Sequence, residues 1–289
     1  DVLDNGPIDL FFLEFAVNDD QDADHNRKAC IRGMEGIIRQ VRMKNPKTEI
    51  IVTYFVNKGM LAMLQSGIEP VSMSAHEKVL EKYGVSRIHL ARELAHQISN
   101  NEFTWDKYGG THPKEPGNQL CADMHIEMFN KSWDEKLPDQ FEKYPLPENP
   151  IDSLSYFNGR FLSPRNVQGK GWSFSEPDWE KLDGIKRSRY LGIPMLHSDS
   201  PNLPIRLNFS GRAIGAFVVA GPDAGVIEYS IDQQKKGTID LFHRYSNGLH
   251  YPRTVMFAHD LKPGDHEITL KINGGTNKSS VRIMEFCVN

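Results

Sequence analysis

The first half of the chain alternates between short apolar runs and longer segments with apolar positions at helical spacing. Residues 8–15 (IDLFFLEF) and 49–56 (EIIVTYFV) are nearly continuous apolar runs, the pattern of strands that are covered on both faces. Residues 85–90 predict a third strand. Helices are predicted at residues 24–45, 74–83, 91–99 and 116–133. This alternation of strands and helices predicts an α/β domain with a parallel sheet.

The second half of the chain has a different pattern, in which apolar and polar residues alternate over short segments separated by Gly, Pro, Asp and Asn. Such strands are typical of a β-sandwich, which we expect to be jelly-roll-like. Pro138, Pro145, Pro147 and Pro150 mark a linker between the two patterns. We therefore predict an α/β domain over residues 1–136, a linker over 137–152 and a sandwich over 153–289. The predicted sandwich strands include residues 205–209, 214–220, 226–231, 266–272 and 281–286.

Composition narrows the range of partners. A formal net charge of −4 over 289 residues gives no electrostatic reason to expect binding to nucleic acid or to an anionic membrane. The apolar runs are shorter than the roughly 18 residues that span a bilayer. The three cysteines form no C-x-x-C pair, so neither a zinc site nor a disulfide framework is indicated. We predict no metal or other cofactor.

The stretch FAVNDDQDADHN contains the alternating aspartates Asp20, Asp22 and Asp24, which look like the start of a calcium-binding loop. An EF-hand loop needs Gly at its sixth position and Glu at its twelfth, and these positions hold His25 and Ile31. Acidic residues before a helix favour its dipole. The sequence therefore predicts a solvated acidic cap on the following helix and no calcium site.

Asn18 lies in the same stretch, directly after the first predicted strand. Ligands of open α/β sheets bind outside the carboxyl ends of the strands. A rigidly held side-chain amide at such a position offers N–H donors that stabilise a developing oxyanion. Asn18 is therefore a candidate catalytic residue, and the adjacent Asp19 is a candidate substrate contact.

A second polar segment, WDKYGGTHP, precedes the last predicted helix. The Gly109-Gly110 pair allows close approach of the backbone, and Pro113 restricts the chain after His112. A histidine in a loop is often only a surface residue. This one follows a tight turn, and the next helix would return the chain to the edge of the sheet that carries Asn18. Further candidate substrate contacts in this segment are Trp105 and Gly110.

These two segments resemble sequence blocks of the SGNH (GDSL-type) hydrolases, namely Ala16-Val17-Asn18-Asp19 and Gly110-Thr111-His112-Pro113. The resemblance covers about residues 5–135 and implies a flavodoxin-like sheet and cleavage of esters, often acetyl groups on carbohydrates. These enzymes use a serine nucleophile, oxyanion donors from a Gly and an Asn, and a His base. Carried over, Asn18 matches the oxyanion asparagine and His112 matches the general base.

The chain departs from the family pattern in the first of these blocks and around the histidine. Ala16 stands where the family usually has Gly. The acid that orients the histidine normally lies three residues before it, and Gly109 occupies that position. Asp106 and Glu14 are alternative acids, and a Ser–His dyad without an acid is a third possibility.

The family's nucleophilic serine has no counterpart in this sequence. No Gly-Asp-Ser precedes the first strand, no G-x-S-x-G occurs, and Ser198-Asp199-Ser200 lacks the glycine and falls in the second half. The chain starts at Asp1 without a methionine or a signal segment. We therefore expect a C-terminal portion of a longer hydrolase that is inactive alone, with an upstream segment or chain that carries the serine. The resemblance also favours a secreted or periplasmic location.

The second half also resembles part of this family. Phe242-His243-Arg244, together with residues 248–253 (GLHYPR), resembles the C-terminal accessory sandwich of a multidomain bacterial subgroup. His250 and Arg253 are candidate substrate contacts there. The aromatic residues of this half form either its core or a sugar-stacking platform, namely Trp172, Trp179, Tyr190, Phe242, Tyr245, Tyr251 and Phe257.

Two functions from different classes follow. The first is a serine esterase that acts on acylated, especially acetylated, carbohydrate or another small ester. The alternative is a non-catalytic carbohydrate-binding or scaffolding protein on a degenerate hydrolase fold. Asn18 together with His112 favours the enzyme, and Gly109 in the position of the acid favours the alternative.

Overall fold

A computed structural model describes residues 2–134, 136, 143–275 and 278–289, apart from the side chain of Lys235. The chain divides into two compact units, Asp1–Phe157 and Asn158–Asn289, which we call the first and second units. The first part of the predicted linker, residues 137–142 with Pro138, lies outside the described residues.

The first unit contains a parallel three-stranded sheet in the order β1-β2-β3, which confirms the predicted α/β architecture. Its strands are β1 (Leu10–Leu13), β2 (Glu49–Thr53) and β3 (Ser86–Ile88). Its helices are α1 (Arg27–Lys44), α2 (Lys58–Gln65), α3 (Val71–Tyr83), α4 (Leu90–Ser99), the short α5 (Trp105–Tyr108) and α6 (Glu115–Trp133). Helices α2 and α5 were not predicted because they are only eight and four residues long.

Strand β1 is less covered than its sequence indicates. We expected burial on both faces, but Leu10 is 39% exposed and Phe12 is 51% exposed. β1 is an end strand of the sheet, and its outer edge has no strand partner within the described ranges. On the face that carries Phe12, the ring of Phe12 contacts His125 and Phe129 of α6. The expectation of full burial on both faces was therefore wrong for the face that carries Leu10 and Phe12.

Helix α1 is capped by a different residue from those predicted. The side chain of Asn26 accepts a hydrogen bond from the backbone N–H of Ala29 at 3.0 Å, and this satisfies a free donor of the first turn. Asp20 and Asp22 lie in the turn Asn18–Asp22 and Asp24 lies in the loop after it, all before this cap. The prediction that they cap α1 is therefore wrong.

The described residues after α6 pack against α1 by ionic and hydrogen bonds. Arg32 Nε lies 2.9 Å from Asp152 Oδ2, and both side chains are nearly buried. The Glu35 carboxylate accepts from the backbone N–H groups of Ile151 at 2.6 Å and Asp152 at 2.9 Å. Arg39 donates to the carbonyl of Pro147 at 2.8 Å. Residues 143–157 are thus bound to the first unit, although the sequence indicates a linker as far as residue 152.

The second unit contains two antiparallel sheets that contribute to one apolar core. One sheet has the order β10-β9-β12-β7, and the other has the order β11-β8-β13-β6-β5 with β4 paired to β13. The predicted β-rich second half is confirmed. Its strands are β4 (Arg160–Leu162), β5 (Ser173–Ser175), β6 (Met195–Ser198), β7 (Ile205–Gly211), β8 (Ile214–Ala220), β9 (Val226–Ile231), β10 (Lys235–Asp240), β11 (Tyr251–Ala258), β12 (Gly264–Ile272) and β13 (Val281–Val288).

The described residues contain no helix with the length and apolar character needed to cross a membrane.

Two glycines of α1 give a matched test of the contact between α1 and residues 143–157. A Cβ at Gly36 would lie 2.9 Å from the backbone N of Tyr156, whereas a Cβ at Gly33 would meet open space. We expect Gly36→Ala to lower the free energy of unfolding by about 1–3 kcal/mol through overpacking. Gly33→Ala should raise it by up to about 1 kcal/mol, because alanine favours an open helical position.

Urea unfolding of the two variants and the parent chain measures both effects. Equal changes in the same direction would contradict the packing of residues 143–157 on α1.

Candidate functional site

Asn18 is presented by a tight turn directly after β1. It opens a single π-helical turn, Asn18–Asp22, closed by a hydrogen bond from the N–H of Ala23 to the Asn18 carbonyl at 3.0 Å. Turns of this type are rare and occur often at functional sites. The Asn18 side chain is exposed, and its Nδ2 donates to Asp22 Oδ2 at 2.8 Å. The amide is thus held at the carboxyl end of the sheet.

Asp19 is buried, with 2% of its surface exposed. Its Oδ2 lies 2.9 Å from His76 Nε2 and its Oδ1 lies 3.0 Å from His25 Nδ1. Burial raises the pKa of Asp19, but the hydrogen bonds and charges of the two histidines outweigh burial and lower this pKa to about 2. Its predicted role as a substrate contact stays a prediction.

The turn is also connected to the segment that follows β2. Asn57 donates from Nδ2 to Asp20 Oδ2 at 2.8 Å. The Oδ1 of Asn57 accepts from the backbone N–H of Met60 at 2.9 Å and caps α2. The turn after β1 and the start of α2 therefore support each other at the same edge of the sheet.

His112 lies exposed in a short loop between α5 and α6. The loop is closed by a hydrogen bond from the N–H of Lys114 to the Tyr108 carbonyl at 2.8 Å. Gly109 and Gly110 have φ angles of 108° and 102°, which side-chain-bearing residues rarely adopt. A Cβ at Gly109 would also lie 2.4 Å from the backbone N of Lys114. The glycine pair is thus required by the turn before His112.

The acid that would orient His112 stays open. Asp106 is exposed in the first turn of α5, and Glu14 accepts at Oε1 from the N–H of Val17 at 3.3 Å. Within the described part of the chain, neither carboxylate forms a hydrogen bond with His112. Trp105 is half-buried, with its ring 5.5 Å from that of Tyr108, so its role in binding substrate also stays a prediction.

The His112 loop and the Asn18 turn belong to the same end of the first unit. His125 of α6 contacts Thr53, the last residue of β2, at 3.0 Å, and its ring also lies 5.5 Å from that of Phe12. Phe129, one turn later in α6, contacts Phe12, which pairs with Ile51 two residues before Thr53. Helix α6 therefore runs antiparallel to the strands, and its N-terminus points toward the carboxyl edge of the sheet. His112 precedes that N-terminus by three residues.

The pKa of Tyr108 supports the same placement. Burial raises this pKa, and the nearby Cys121 and Glu14 raise it further. Glu14 directly follows β1 and lies four residues before Asn18, and Tyr108 is the last residue before the Gly109-Gly110 pair.

The two candidate contacts of the second unit are both engaged with their own unit. His250 is wholly buried, its Nε2 lies 2.8 Å from the carbonyl of Asp183, and its ring meets Trp179 edge-on at 5.2 Å. Burial lowers the pKa of His250. Arg253 donates to the carbonyl of Phe242 at 3.3 Å, and burial lowers its pKa. Their roles in substrate binding stay predictions.

The aromatic residues of the second unit divide between core and surface. Tyr245 is 39% exposed, with its ring 5.3 Å from Tyr251 and 5.0 Å from His243. Four of the others are buried, namely Trp172, Trp179, Tyr190 and Phe257. Most of this set therefore belongs to the core.

Among the described residues, no group of three or more His, Cys, Asp and Glu side chains is arranged to hold a metal ion.

Comparison with known proteins gives a shared fold. No protein-family model matches the chain, and no curated protein matches it. A solved two-domain esterase active on acetylated mannans, co-crystallized with mannopentaose, matches with a TM-score of 0.71 and 17% identity over 100% of this chain and 73% of the esterase chain.

A second crystal structure of a two-domain esterase active on acetylated mannans matches with a TM-score of 0.70 and 16% identity, over 97% of this chain and 72% of the other. A family two carbohydrate esterase from Cellvibrio japonicus matches with 13% identity over 45% of this chain and 32% of its own, at a TM-score of 0.30 that is too low to support an argument. The first two matches establish a common fold with a two-domain esterase.

The site contains residues that the sequence did not single out. His76 lies 57 positions after Asp19 and Asn57 lies 37 positions after Asp20, so no local pattern connects them. His25 was visible in the quoted stretch, but only the structure shows that it bonds to Asp19.

The low pKa of Asp19 predicts a specific dependence of stability on pH. A carboxyl whose pKa is about 2 in the folded state, below its ordinary 3.8, stabilises the fold wherever it is ionised. We expect Asp19→Asn to lower the free energy of unfolding at pH 7 by on the order of 2 kcal/mol. The difference from the parent should narrow as the pH falls from about 4 toward about 2, because the parent then loses this stabilisation.

Urea unfolding at several pH values measures the difference, with Asp24→Asn as the control because Asp24 is an exposed carboxylate of the same loop. A difference for Asp19→Asn that does not change with pH would contradict the ionised, paired state of Asp19.

Proposed function

We propose that the chain belongs to an SGNH-type serine ester hydrolase that removes acyl groups, especially acetyl groups, from carbohydrate. The observation that carries this proposal is the placement of Asn18 and His112, both exposed, at the same end of a parallel sheet. This is where open α/β sheets bind their ligands. The fold in common with an esterase active on acetylated mannans supports the class of substrate.

Asn18 serves as an oxyanion donor in this mechanism. One N–H of its amide donates to Asp22, and this bond fixes the plane of the amide. The second N–H is then directed to the oxygen of the ester carbonyl, on which negative charge develops during attack. Because the donor is held before the substrate arrives, little reorganisation is needed in the transition state.

His112 serves as the general base. It takes the proton of a serine hydroxyl as the serine attacks the ester carbonyl, and it returns that proton to the leaving alcohol. Asp106 or Glu14 orients the imidazole, or the site operates as a Ser–His dyad. In the first unit, Trp105 and Gly110 contribute substrate contacts. In the jelly-roll-like second unit, contacts of His250 and Arg253 with carbohydrate stay a prediction.

We place the nucleophilic serine in a segment or chain outside these 289 residues. The outer edge of β1 has no strand partner among the described residues, which supports this because such an edge is a template for a further strand. The exposure of Leu10 and Phe12 also fits a partner on that side. A parallel strand added there would end beside the Asn18 turn, which is where the mechanism needs the serine.

The alternative function is a carbohydrate-binding or scaffolding protein without catalysis. It is supported by His112, which forms no hydrogen bond with Asp106 or Glu14 in the described part of the chain. Both functions predict that the chain binds carbohydrate, so only turnover separates them.

In the complete protein, which includes the segment or chain that carries the serine, we expect hydrolysis of p-nitrophenyl acetate. His112→Ala should lower kcat by about a thousandfold or more, because the serine then has no proton acceptor. Asn18→Ala should lower kcat by about 100- to 1000-fold, the usual cost of one oxyanion donor. His96→Ala removes an exposed histidine of α4 and serves as the control. Unchanged turnover in His112→Ala would refute its role as the base.

The chain of 289 residues alone should neither hydrolyse this ester nor react with a fluorophosphonate that labels activated serines, because it lacks the nucleophile. Mass spectrometry detects labelling by the fluorophosphonate, and the release of p-nitrophenol measures hydrolysis of the ester. Turnover by this chain that disappears in His112→Ala would overturn the external placement of the serine.

A further inference from the structure

We infer that Asp19 is a positioning residue that fixes the Asn18 turn, and that His76 is the buried donor that holds Asp19 in place. The consequence of this positioning for catalysis rests on the proposed function, in which Asn18 is the oxyanion donor. The geometry of the turn itself is independent of that function.

Asn18 is an exposed residue between two buried neighbours. Val17 is 5% exposed and Asp19 is 2% exposed, so the main chain enters the unit's interior on both sides of Asn18. The N–H of Asp19 donates to the Phe15 carbonyl at 3.1 Å, and its own carbonyl accepts from the N–H of His25 at 2.8 Å. A displacement of Asp19 would therefore also displace Asn18.

The Asp19 carboxylate is a charge that the fold must compensate. Removing a carboxylate from water costs several kcal/mol unless it is paired and hydrogen-bonded. Both of its oxygens accept from histidines, at 2.9 Å from His76 and 3.0 Å from His25. Hydrogen bonds are directional, so they fix the position of the turn more narrowly than apolar packing would.

The two histidines are unequal partners. The His25 side chain is 44% exposed, whereas that of His76 is 0% exposed. Water can replace His25 if its side chain is removed. It cannot readily reach the oxygen that faces His76, so loss of the His76 donor leaves a buried charge with one partner.

His76 is restricted to a single role. Its Nδ1 has no hydrogen-bond partner within the described ranges, so a proton there would be buried without an acceptor. The proton on Nε2 is therefore the one that His76 donates, and Asp19 accepts it. The ring of His76 also lies nearly parallel to that of Tyr54, with 6.5 Å between the ring centroids and 24° between the ring planes. Within the described ranges, the hydrogen bond to Asp19 is therefore the one that the ring of His76 forms.

The first test uses hydrogen exchange by NMR on the chain of 289 residues. The reporters are the amides of Ala23 and His25, which bond to the carbonyls of Asn18 and Asp19. We expect Asp19→Asn and His76→Phe to speed exchange of both amides by about tenfold or more relative to amides of α4, because the turn opens more often. His25→Ala should speed exchange of the Ala23 amide by less.

Asp152→Asn is the matched control, because it also breaks a buried ion pair of the first unit, with Arg32, away from the turn. In this variant, the ratio of the exchange rate of the reporter amides to that of the α4 amides should stay within about twofold of the ratio in the parent chain. Reporter amides as protected in His76→Phe as in the parent would overturn the inference. So would an equal loss of protection in Asp152→Asn.

The second test uses ester hydrolysis by the complete protein. Asp19→Asn and His76→Phe should lower kcat by about 10- to 100-fold with KM within about twofold, because a displaced oxyanion donor affects the transition state more than the bound substrate. His76→Gln keeps a side-chain N–H donor, so its kcat should be at least about tenfold higher than the kcat of His76→Phe. Asp152→Asn should retain kcat within about twofold.

The outcomes separate this inference from the proposed function. If the complete parent protein hydrolyses no ester, the proposed function fails, and the exchange experiment still decides the role of Asp19. If Asp19→Asn does not fold, the comparison of His76→Gln with His76→Phe decides it. Equal kcat in these two variants would show that donation by residue 76 does not position the turn.

Discussion

The buried carboxylate of Asp19 is the constraint on which the candidate site depends. A negative charge with 2% exposure is tolerated only because two histidines donate to it from different parts of the chain. One of them, His76, belongs to α3, so the turn after β1 is tied to the helical layer as well as to its own strand. Asn18, one residue earlier, takes its position from this arrangement.

A second set of buried polar contacts stabilises the face of α1 that receives residues 143–157. Glu35 and Arg39 face the same segment, and both bind the hydroxyl of Tyr83 on α3, at 2.8 Å and 2.9 Å. Because His76 and Tyr83 both belong to α3, this network and the Asp19 network share that helix. The first unit is therefore held by polar bonds between helices in addition to its apolar core.

Sequence reasoning reached the parts of this structure that depend on local pattern. The apolar runs of β1 and β2 predicted the parallel sheet, and the end of the first run correctly placed Asn18 after a strand. The exposure of Phe12 and the burial of Asp19 were not predictable, because each depends on what lies beside the residue in space. Strand β10 was missed since KKGTID has little apolar periodicity, and β4 since it has only three residues.

The central claim is that Asn18 and His112 act on one ester carbonyl. The most direct measurement is a crystal structure of the complete protein, with its serine, after reaction with a phosphonate that mimics the tetrahedral intermediate. We expect a phosphonyl oxygen at about 2.7–3.1 Å from Asn18 Nδ2, with a ring nitrogen of His112 within hydrogen-bonding distance of the serine oxygen. A phosphonate bound to a serine remote from both side chains would contradict it.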